Sequence, residues 1–280
     1  MSTQIQPHLS LVIPAFNEAH RLPRTLQEIR HHSSNWSFSF EVLVVVEPSV
    51  DGTLDLARKE EVDWPELQII ANPTHYGKGF AVKTGMLAAA GELVFFTDAD
   101  LSTSLADLDR ALQLFGTTPS ADILVGSRQH PESQILQHQS WMRELMGKTF
   151  NRLVRLLSGI KLLDTQCGFK GFRREACRQI FSRLKTNGFS FDVEALLLAQ
   201  EMGFRFVEMP VHWSNSPESK VHVVRDSLRM LQEVSQVRRL VRATMRAQPY
   251  RPVPATSVEG RRIETARRRN GDGATEQGCP

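Results

Sequence analysis

At 280 residues the chain is long enough for one large α/β domain or two small ones, and for a sizeable core. Its 34 basic and 31 acidic side chains leave a formal charge of +3, too small an excess to argue for a polyanionic partner. The three cysteines, Cys167, Cys177 and Cys279, form no CxxC pair and lie near no histidine at metal-ligand spacing, so they read as reduced thiols of a cytosolic protein. The opening MSTQIQPHLS lacks the charged and apolar regions of a signal peptide. No run approaches the ~18 apolar residues that span a bilayer, and the expectation is a cytoplasmic protein, soluble or peripheral on a membrane surface.

In chain order, residues 1–8 read as a flexible N-terminus. Short apolar runs then alternate with helical patterns: LSLVIP precedes a helix from about Glu18 to His31, EVLVVV one after Asp51, and LQIIA one from about Gly79 to Ala90. ELVFFT and ADILVG continue the series. Runs apolar on both faces, alternating with helices, predict a mainly parallel sheet covered by helices on both sides. In such a sheet ligands bind beyond the carboxyl ends of the strands. Polar residues stand after each run: Asn17 and Glu18, Glu47 and Asp51, His75 to Gly79, Asp98 and Asp100, Ser127 and Arg128.

The second half changes character. Trp141–Ile160 and Val223–Met245 set apolar residues at helical spacing with arginines between them, as in basic amphipathic helices. Such helices either lie on an anionic membrane with arginines in the headgroups or pack their apolar faces on the core and leave the arginines solvated. No aromatic stacking module or DNA-reading motif accompanies the charge, which disfavours nucleic acid. Residues 246–280, rich in Pro, Arg, Gly and Thr, read as a disordered basic tail.

Two carboxylates one residue apart just past a strand end, Asp98 and Asp100, can converge on one cation that completes its shell with other oxygens. Mg²⁺ or Mn²⁺ shared with a substrate diphosphate fits. A solvated turn or helix cap is the plain alternative. Pro14 to Glu18 bring backbone and side-chain groups to the sheet edge, and Glu47 in EPSVDGT can accept from a base N–H. The glycines of HYGKGF permit close approach to phosphate, with Lys78 as a point charge and the following helix N-terminus as an anion site. Each has a duller reading: Glu18 as a first-turn acid, Asp51 and Gly52 as a turn, Lys78 as a surface charge. Cys167 reads as a small buried hydrophobe, Asp164 as a helix cap or acceptor-site residue, and Asp192 as polar support or acceptor-site residue. A nicotinamide dehydrogenase would want G-x-G-x-x-G after the first strand, and a sugar nucleotidyltransferase a glycine-rich phosphate loop. PAFNEA stands there instead.

Together VIPAFNEAHRLP, VDGT, GKGFAVKTGML, DADLST, GSR, LLDTQCGFKGFRREA, FSFDVEALLLAQ and SKV resemble family 2 glycosyltransferases of the GT-A fold, over about Leu9 to Arg239. Within the family the sequence is most similar to the dolichyl-phosphate β-glucosyltransferases, with dolichyl-phosphate mannose synthases more distant. The resemblance implies a single GT-A domain over 9–245, with a donor half about 9–128 and an acceptor half about 129–245. It implies inverting transfer of a hexose, with UDP-glucose favoured, to a polyprenyl or dolichyl phosphate. A GDP-mannose donor and a soluble acceptor are the alternatives, and a non-catalytic nucleotide-sugar-binding scaffold is the reading from another class.

Residue by residue, the resemblance implies that Glu47 reads the nucleotide base and that Asn17 and Glu18 line the nucleoside pocket with Pro14, Ala15, Ser49, Lys78, Gly79 and Ala99. Asp98 faces the nucleotide and Asp100 is the principal metal ligand. Ser102 stands where some relatives place a glutamine ligand. Arg128, Arg143 and Lys220 are the expected acceptor-phosphate residues. Val46, Glu47 and Pro48 replace the usual two acids and glycine of the second loop, a departure that bears on donor choice.

Overall fold

The structure, a computed structural model, describes residues 6–137, 141–215 and 223–250. The apolar runs of the first half become strands β1 (Leu9–Ala15), β2 (Phe40–Val46), β3 (Leu67–Ala71), β4 (Leu93–Phe96) and β5 (Ile123–Ser127). Between them lie helices α1 (Leu22–Ser33), α2 (Thr53–Val62), α3 (Lys78–Ala88) and α4 (Leu105–Thr117). The second half adds β6 (Gln134–Gln137), α5 (Trp141–Ser158), β7 (Lys170–Arg173), α6 (Arg174–Arg183) and α7 (Phe191–Glu201). It closes with β8 (Phe206–Pro210), β9 (His212–Ser214) and α8 (Val223–Ala247).

Seven strands form one sheet in the order β3-β2-β1-β4-β7-β5-β8. All pairings are parallel except those of β7, which runs antiparallel to both β4 and β5. β6 and β9 form a separate small parallel pair. The chain steps outward from β1 to β2 and β3, then returns to the other side of β1 as β4. That reversal makes the boundary between β1 and β4 the switch point where a ligand crevice opens.

Both faces of the sheet are covered, which is why the strands are apolar throughout. Along β1, Leu11 and Ile13 pack with Leu26 of α1, Ala57 of α2 and Leu108 of α4, while Val12 turns to the opposite core with Ala81 and Val82 of α3. That second core also takes Ile180 of α6, Leu196 of α7 and Val234, Val237 and Val241 of α8. Each fully buried aliphatic contributes about 1.5–3 kcal/mol. The strands, whose carboxyl ends carry the polar residues, are thereby held rigidly.

Two helix starts and ends differ from expectation. α1 begins at Leu22 because Glu18 to Arg21 form a turn, with the amides of Arg21 and Leu22 both donating to the Glu18 carbonyl, and Pro23 then fits the first helical turn. Glu18 is therefore outside the helix. α5 stops at Ser158 because Gly159 adopts a left-handed φ of 75° and its amide bonds back to the Arg155 carbonyl.

The two basic helices differ in how far their apolar faces are buried. α8 turns Val234, Val237 and Val241 into the core. α5 buries Asn151, Val154 and Ser158 but leaves Leu145, Met146, Leu153, Leu156 and Leu157 exposed. Among the described residues no helix is long and apolar enough to cross a membrane. Lys220 and the tail from 251 lie outside the described residues.

Candidate active site

At the switch point a cleft of about 390 Å³ is lined by Pro14, Ala15, Glu18, Glu47, Lys78, Asp98, Ala99 and Asp100, all expected from sequence. Phe16 and His75, from stretches expected at this edge, line it as well, as do Arg21 and Phe189, which were not anticipated. The Asp98–Asp100 segment leaves β4 through a turn in which the Leu101 amide donates to the Asp98 carbonyl and Leu101 takes a left-handed φ of 47°. A leucine in that conformation is strained, and such strain gathers where geometry serves a site.

Each carboxylate of the pair faces a cation. Lys78 Nζ lies 2.5 Å from Asp98 Oδ1, and Arg21 Nη1 lies 3.6 Å from Asp100 Oδ2. Burial works against the Lys78 charge, yet Asp98, Asp192 and Asp100 more than offset it and raise its pKa above the ordinary value. Lys78 therefore stays charged at neutral pH, and the surface-charge reading gives way to a placed cation. Arg21 in turn grips Glu18 with two hydrogen bonds of 2.6 and 2.5 Å. The spacing of Glu18 and Arg21 three apart was a legible signal for that pair.

Ser102 donates both its hydroxyl, at 2.7 Å, and its amide, at 3.0 Å, to Asp100 Oδ1. Its hydroxyl proton is thus committed to the carboxylate and helps orient Asp100, while the hydroxyl oxygen keeps the lone pairs a metal ligand needs. Among the described residues no group of three or more His, Cys, Asp and Glu could hold a metal. The donor set is two carboxylates beside an open cleft, which suits a hard cation that keeps water and takes substrate oxygens.

Glu47 is tied to its neighbours as well. It is 2 % exposed; Oε1 accepts from Asn72 Nδ2 (2.9 Å), and Oε2 accepts from Tyr76 N (2.8 Å) and Gly77 N (3.1 Å) and lies 2.8 Å from His75 Nδ1. These partners make the carboxylate a brace of the loop between β3 and α3 at the wall of the cleft. His75 stacks on Phe16 with ring centroids 4.2 Å apart, giving the cleft an aromatic rim. Asn17 and Ser49 brace the neighbouring loops: the Asn17 amide donates to Ser49 Oγ, the Val50 amide to Asn17 Oδ1, and Asn17 sits at φ 54°. The Asp51 carboxylate takes the amides of Ala19 and Thr53. Gly79 is required by packing: a Cβ there would lie 2.6 Å from Phe191 Cβ and 2.7 Å from the Thr186 carbonyl.

The motif around Asp164 closes the far side. Arg128 Nε and Nη2 bind the two oxygens of Asp164 at 2.7 and 3.1 Å, and the Arg128 amide adds a third bond at 3.0 Å. Burial alone would raise the Asp164 carboxyl, but the Arg128 guanidinium holds it below the usual range, and Asp164 reciprocally raises the Arg128 pKa. Asp164 is thus a buried counter-ion. The guanidinium also sits over the Trp213 ring, 5.8 Å from its centroid. Arg128 belongs to the electrostatic surroundings of Asp98 but does not line the cleft. Arg143 lies on α5, with its side chain outside the described residues.

Beneath the cleft, Lys170 is completely buried, donating to the Cys167 carbonyl and to Asp192 Oδ1, both at 2.6 Å. Burial pushes the Asp192 carboxyl up, against the pull of Lys170 and Lys78. The Cys167 thiol is pushed up to about 11 by burial, which leaves it an inert packing group at neutral pH. Gly168 touches the site itself: a Cβ there would fall 1.9 Å from Asp98 Oδ2. Backbone from DTQCGFK therefore walls the Asp98 carboxylate, a contact no spacing rule reveals.

The sequence profile described as "Glycosyl transferase family 2" matches residues 10–181. The chain belongs to glycosyl transferase family 2. Among its family relatives, the dolichyl-phosphate beta-glucosyltransferase of Homo sapiens is 34% identical over 224 residues, covering 76% of this chain and 69% of the relative. The dolichyl-phosphate beta-glucosyltransferase ALG5C of Trichomonas vaginalis is 32% identical over 224 residues, 77% of this chain and 66% of the relative, so the chain spans just under two thirds of that protein. In structure the chain is similar to the glucosyl-3-phosphoglycerate synthase of Mycobacterium tuberculosis solved with UDP, at TM-score 0.57 and 18% identity, covering 85% of this chain and 80% of that one. That synthase has also been solved with Mn²⁺, UDP and glucosyl-3-phosphoglycerate, a match of TM-score 0.51. The family 2 chain thus has the GT-A fold, and it is a glycosyltransferase.

Proposed function

We propose that the chain is an inverting, metal-dependent glucosyltransferase that moves glucose from UDP-glucose to a polyprenyl or dolichyl phosphate at the cytoplasmic face of a membrane. The observation that carries this reading is the Asp98–Asp100 pair at the switch point, each carboxylate facing a cation, with the Arg128–Asp164 pair nearby. The names of the relatives support the sugar and the acceptor, and the exposed leucines of α5 support a membrane surface.

A divalent cation, Mg²⁺ or Mn²⁺, held by Asp98 and Asp100 together with donor oxygens and water, would neutralise the donor diphosphate and stabilise charge on the departing nucleoside diphosphate. Lys78, charged at neutral pH, is placed to turn from Asp98 to a donor phosphate. Ser102 and the turn at Leu101 keep Asp100 aimed into the cleft. Phe16 and His75 offer an apolar face for the base, on a loop that Glu47 holds in place. Arg128 has two nitrogens committed to Asp164, which leaves Nη1 for an acceptor phosphate. That phosphate is largely dianionic at neutral pH, because a monoester's second pKa is about 6. It needs orientation more than deprotonation, and attack on the anomeric carbon opposite the leaving group inverts configuration.

A panel of radiolabelled UDP-glucose and GDP-mannose, with a short polyprenyl phosphate and Mg²⁺ or Mn²⁺, tests donor, acceptor and metal together. UDP-glucose is expected to label the lipid, and Asp100→Asn to lower the rate by at least about 100-fold. Full metal-dependent transfer by Asp100→Asn would reject the assignment. Label passing only from GDP-mannose, or only to a soluble phosphate ester, would replace the donor or the acceptor.

A further inference from the structure

We infer that the outer face of α5 carries a groove that seats the phosphate headgroups of anionic phospholipids, separate from the acceptor-phosphate position at Arg128. The inference rests on the membrane reading above and names its contact. A cavity of about 450 Å³ lies against α5, lined by Lys148, Arg152 and Arg155 with Gln129, Leu145 and Leu163 among its other walls. A second cavity, of about 510 Å³, shares Arg152 and Arg155 and adds Leu156 and Lys161. Among the described residues no carboxylate lines either one.

The charge is uncompensated. Unlike Arg21, Lys78, Arg128 and Lys170, none of Lys148, Arg152, Arg155 and Lys161 pairs with a carboxylate among the described residues. Arg155 Nε is buried and has no hydrogen-bond partner. A buried donor left unmade costs about 1–3 kcal/mol, so an anion arriving there satisfies it. Interleaved with the cations are exposed leucines: Leu145, Lys148, Thr149, Arg152 and Leu156 share a helix face at spacings of three and four, and Leu156 is 77 % exposed. An ordinary solvated face would not repeat large apolar groups there. Leucines and cations together on one outward face suit an interface where acyl chains meet anionic headgroups.

Flotation of the full chain with vesicles of roughly 30% phosphatidylserine in phosphatidylcholine, at low salt and without donor, tests this. Wild type is expected to float with these vesicles and not with pure phosphatidylcholine. Lys148→Gln/Arg152→Gln should weaken partition about 25-fold, roughly fivefold per charge, while transfer to a short soluble polyprenyl phosphate stays at the wild-type rate. Leu145→Ser/Leu156→Ser should weaken it too, because the leucines enter the bilayer. All four side chains are accessible, so melting curves should be unchanged.

Unchanged flotation of either double variant would overturn the inference. So would displacement by glycerol phosphate beyond that of chloride at matched ionic strength, which would make the groove a soluble phosphate-ester site, or a loss of transfer equal to the loss of flotation, which would merge it with the acceptor site. Charge-dependent flotation by a protein that transfers no sugar to polyprenyl phosphate would instead reject the function proposed above and leave the groove standing.

Discussion

Gly168→Ala should disable sugar transfer while leaving the fold nearly intact. The new Cβ would stand 1.9 Å from Asp98 Oδ2 and 2.5 Å from its Cγ, whereas ordinary contact begins near 3.4 Å. The carboxylate must therefore retreat by about 1.5 Å, and because it is the end of a side chain it can do so by rotating. The retreat breaks or stretches the 2.5 Å contact with Lys78, an interaction at a partly open site, so about 1 kcal/mol of stability is at stake. For a chain of this size that lowers Tm by roughly 2–4 °C. Displacing a charge-bearing group of the active site by more than 1 Å costs on the order of 100-fold in rate. The catalytic effect should thus far exceed the structural one.

The comparison that isolates it is Gly171→Ala. There the Cβ would lie 2.3 Å from Cε1 of the buried Phe95 ring, which cannot rotate away, so overpacking of about 1–3 kcal/mol is expected with no direct insult to the cleft. Calorimetry gives the two Tm values, titration with UDP and Mn²⁺ gives donor-site affinity, and initial rates at saturating donor give turnover. Gly168→Ala with wild-type turnover and Mn²⁺ response, or with activity lost only in step with Tm as in Gly171→Ala, would refute the placement of Asp98 as a group whose position matters.

Other outcomes follow from the same geometry. Glu47→Gln replaces one carboxylate oxygen by an NH2 group that cannot accept, so either Asn72 Nδ2 or the Tyr76 and Gly77 amides lose their acceptor; UDP titration should show roughly tenfold weaker binding as the 72–77 loop loosens, and unchanged affinity would contradict its bracing role. Lys170→Met leaves Asp192 buried without its partner and should cost about 3–5 kcal/mol in urea unfolding, largely recovered by Lys170→Met/Asp192→Leu; equal instability of single and double variants would count against the pairing. Asp164 has a lowered folded pKa, so its stabilisation is present above the unfolded value near 3.9 and lost as pH falls through the folded one. Lys78 has a raised pKa, so its stabilisation is present below about 10.4 and lost as pH rises through the folded value. The stability gap between wild type and Asp164→Asn should therefore be constant from pH 5 to 9, and a gap that shrinks within that window would show the carboxyl to be titrating there.

Much of the fold was legible because strands buried on both faces leave a continuous apolar signature, and β1 to β5 fall on the five runs read from the sequence. β7 was not, because it is four residues long and reads KGFR. Its lysine is tolerated inside only because Asp192, 22 residues away, meets it there. The candidate site was legible near the strand ends, where Asp98 and Asp100 closely follow β4 and Lys78 opens the helix after β3. What sequence hid were the partners. Glu47 looks like a free acid until the β3–α3 loop folds over it, and no spacing shows that the Ser102 hydroxyl donates to Asp100. Arg21 and His75 stand in plain view, but only the closeness of three loops makes them part of the cleft. The basic helices looked alike in pattern and part company in packing: α8 buries Val234, Val237 and Val241, whereas much of the apolar surface of α5 meets no neighbour among the described residues.

The antiparallel strand between β4 and β5 also bears on how such an enzyme can change its acceptor. A segment far along the chain supplies the hydrogen-bonding neighbour of the very strand that delivers Asp98, so a fragment ending at Arg128 would expose an unpaired edge on β4 and lose the Gly168 wall. The portions before and after that point cannot be exchanged between relatives as cassettes. New acceptors have to be reached by altering surface loops and helix faces around an undivided sheet, and chimaeras should be joined outside residues 9–250.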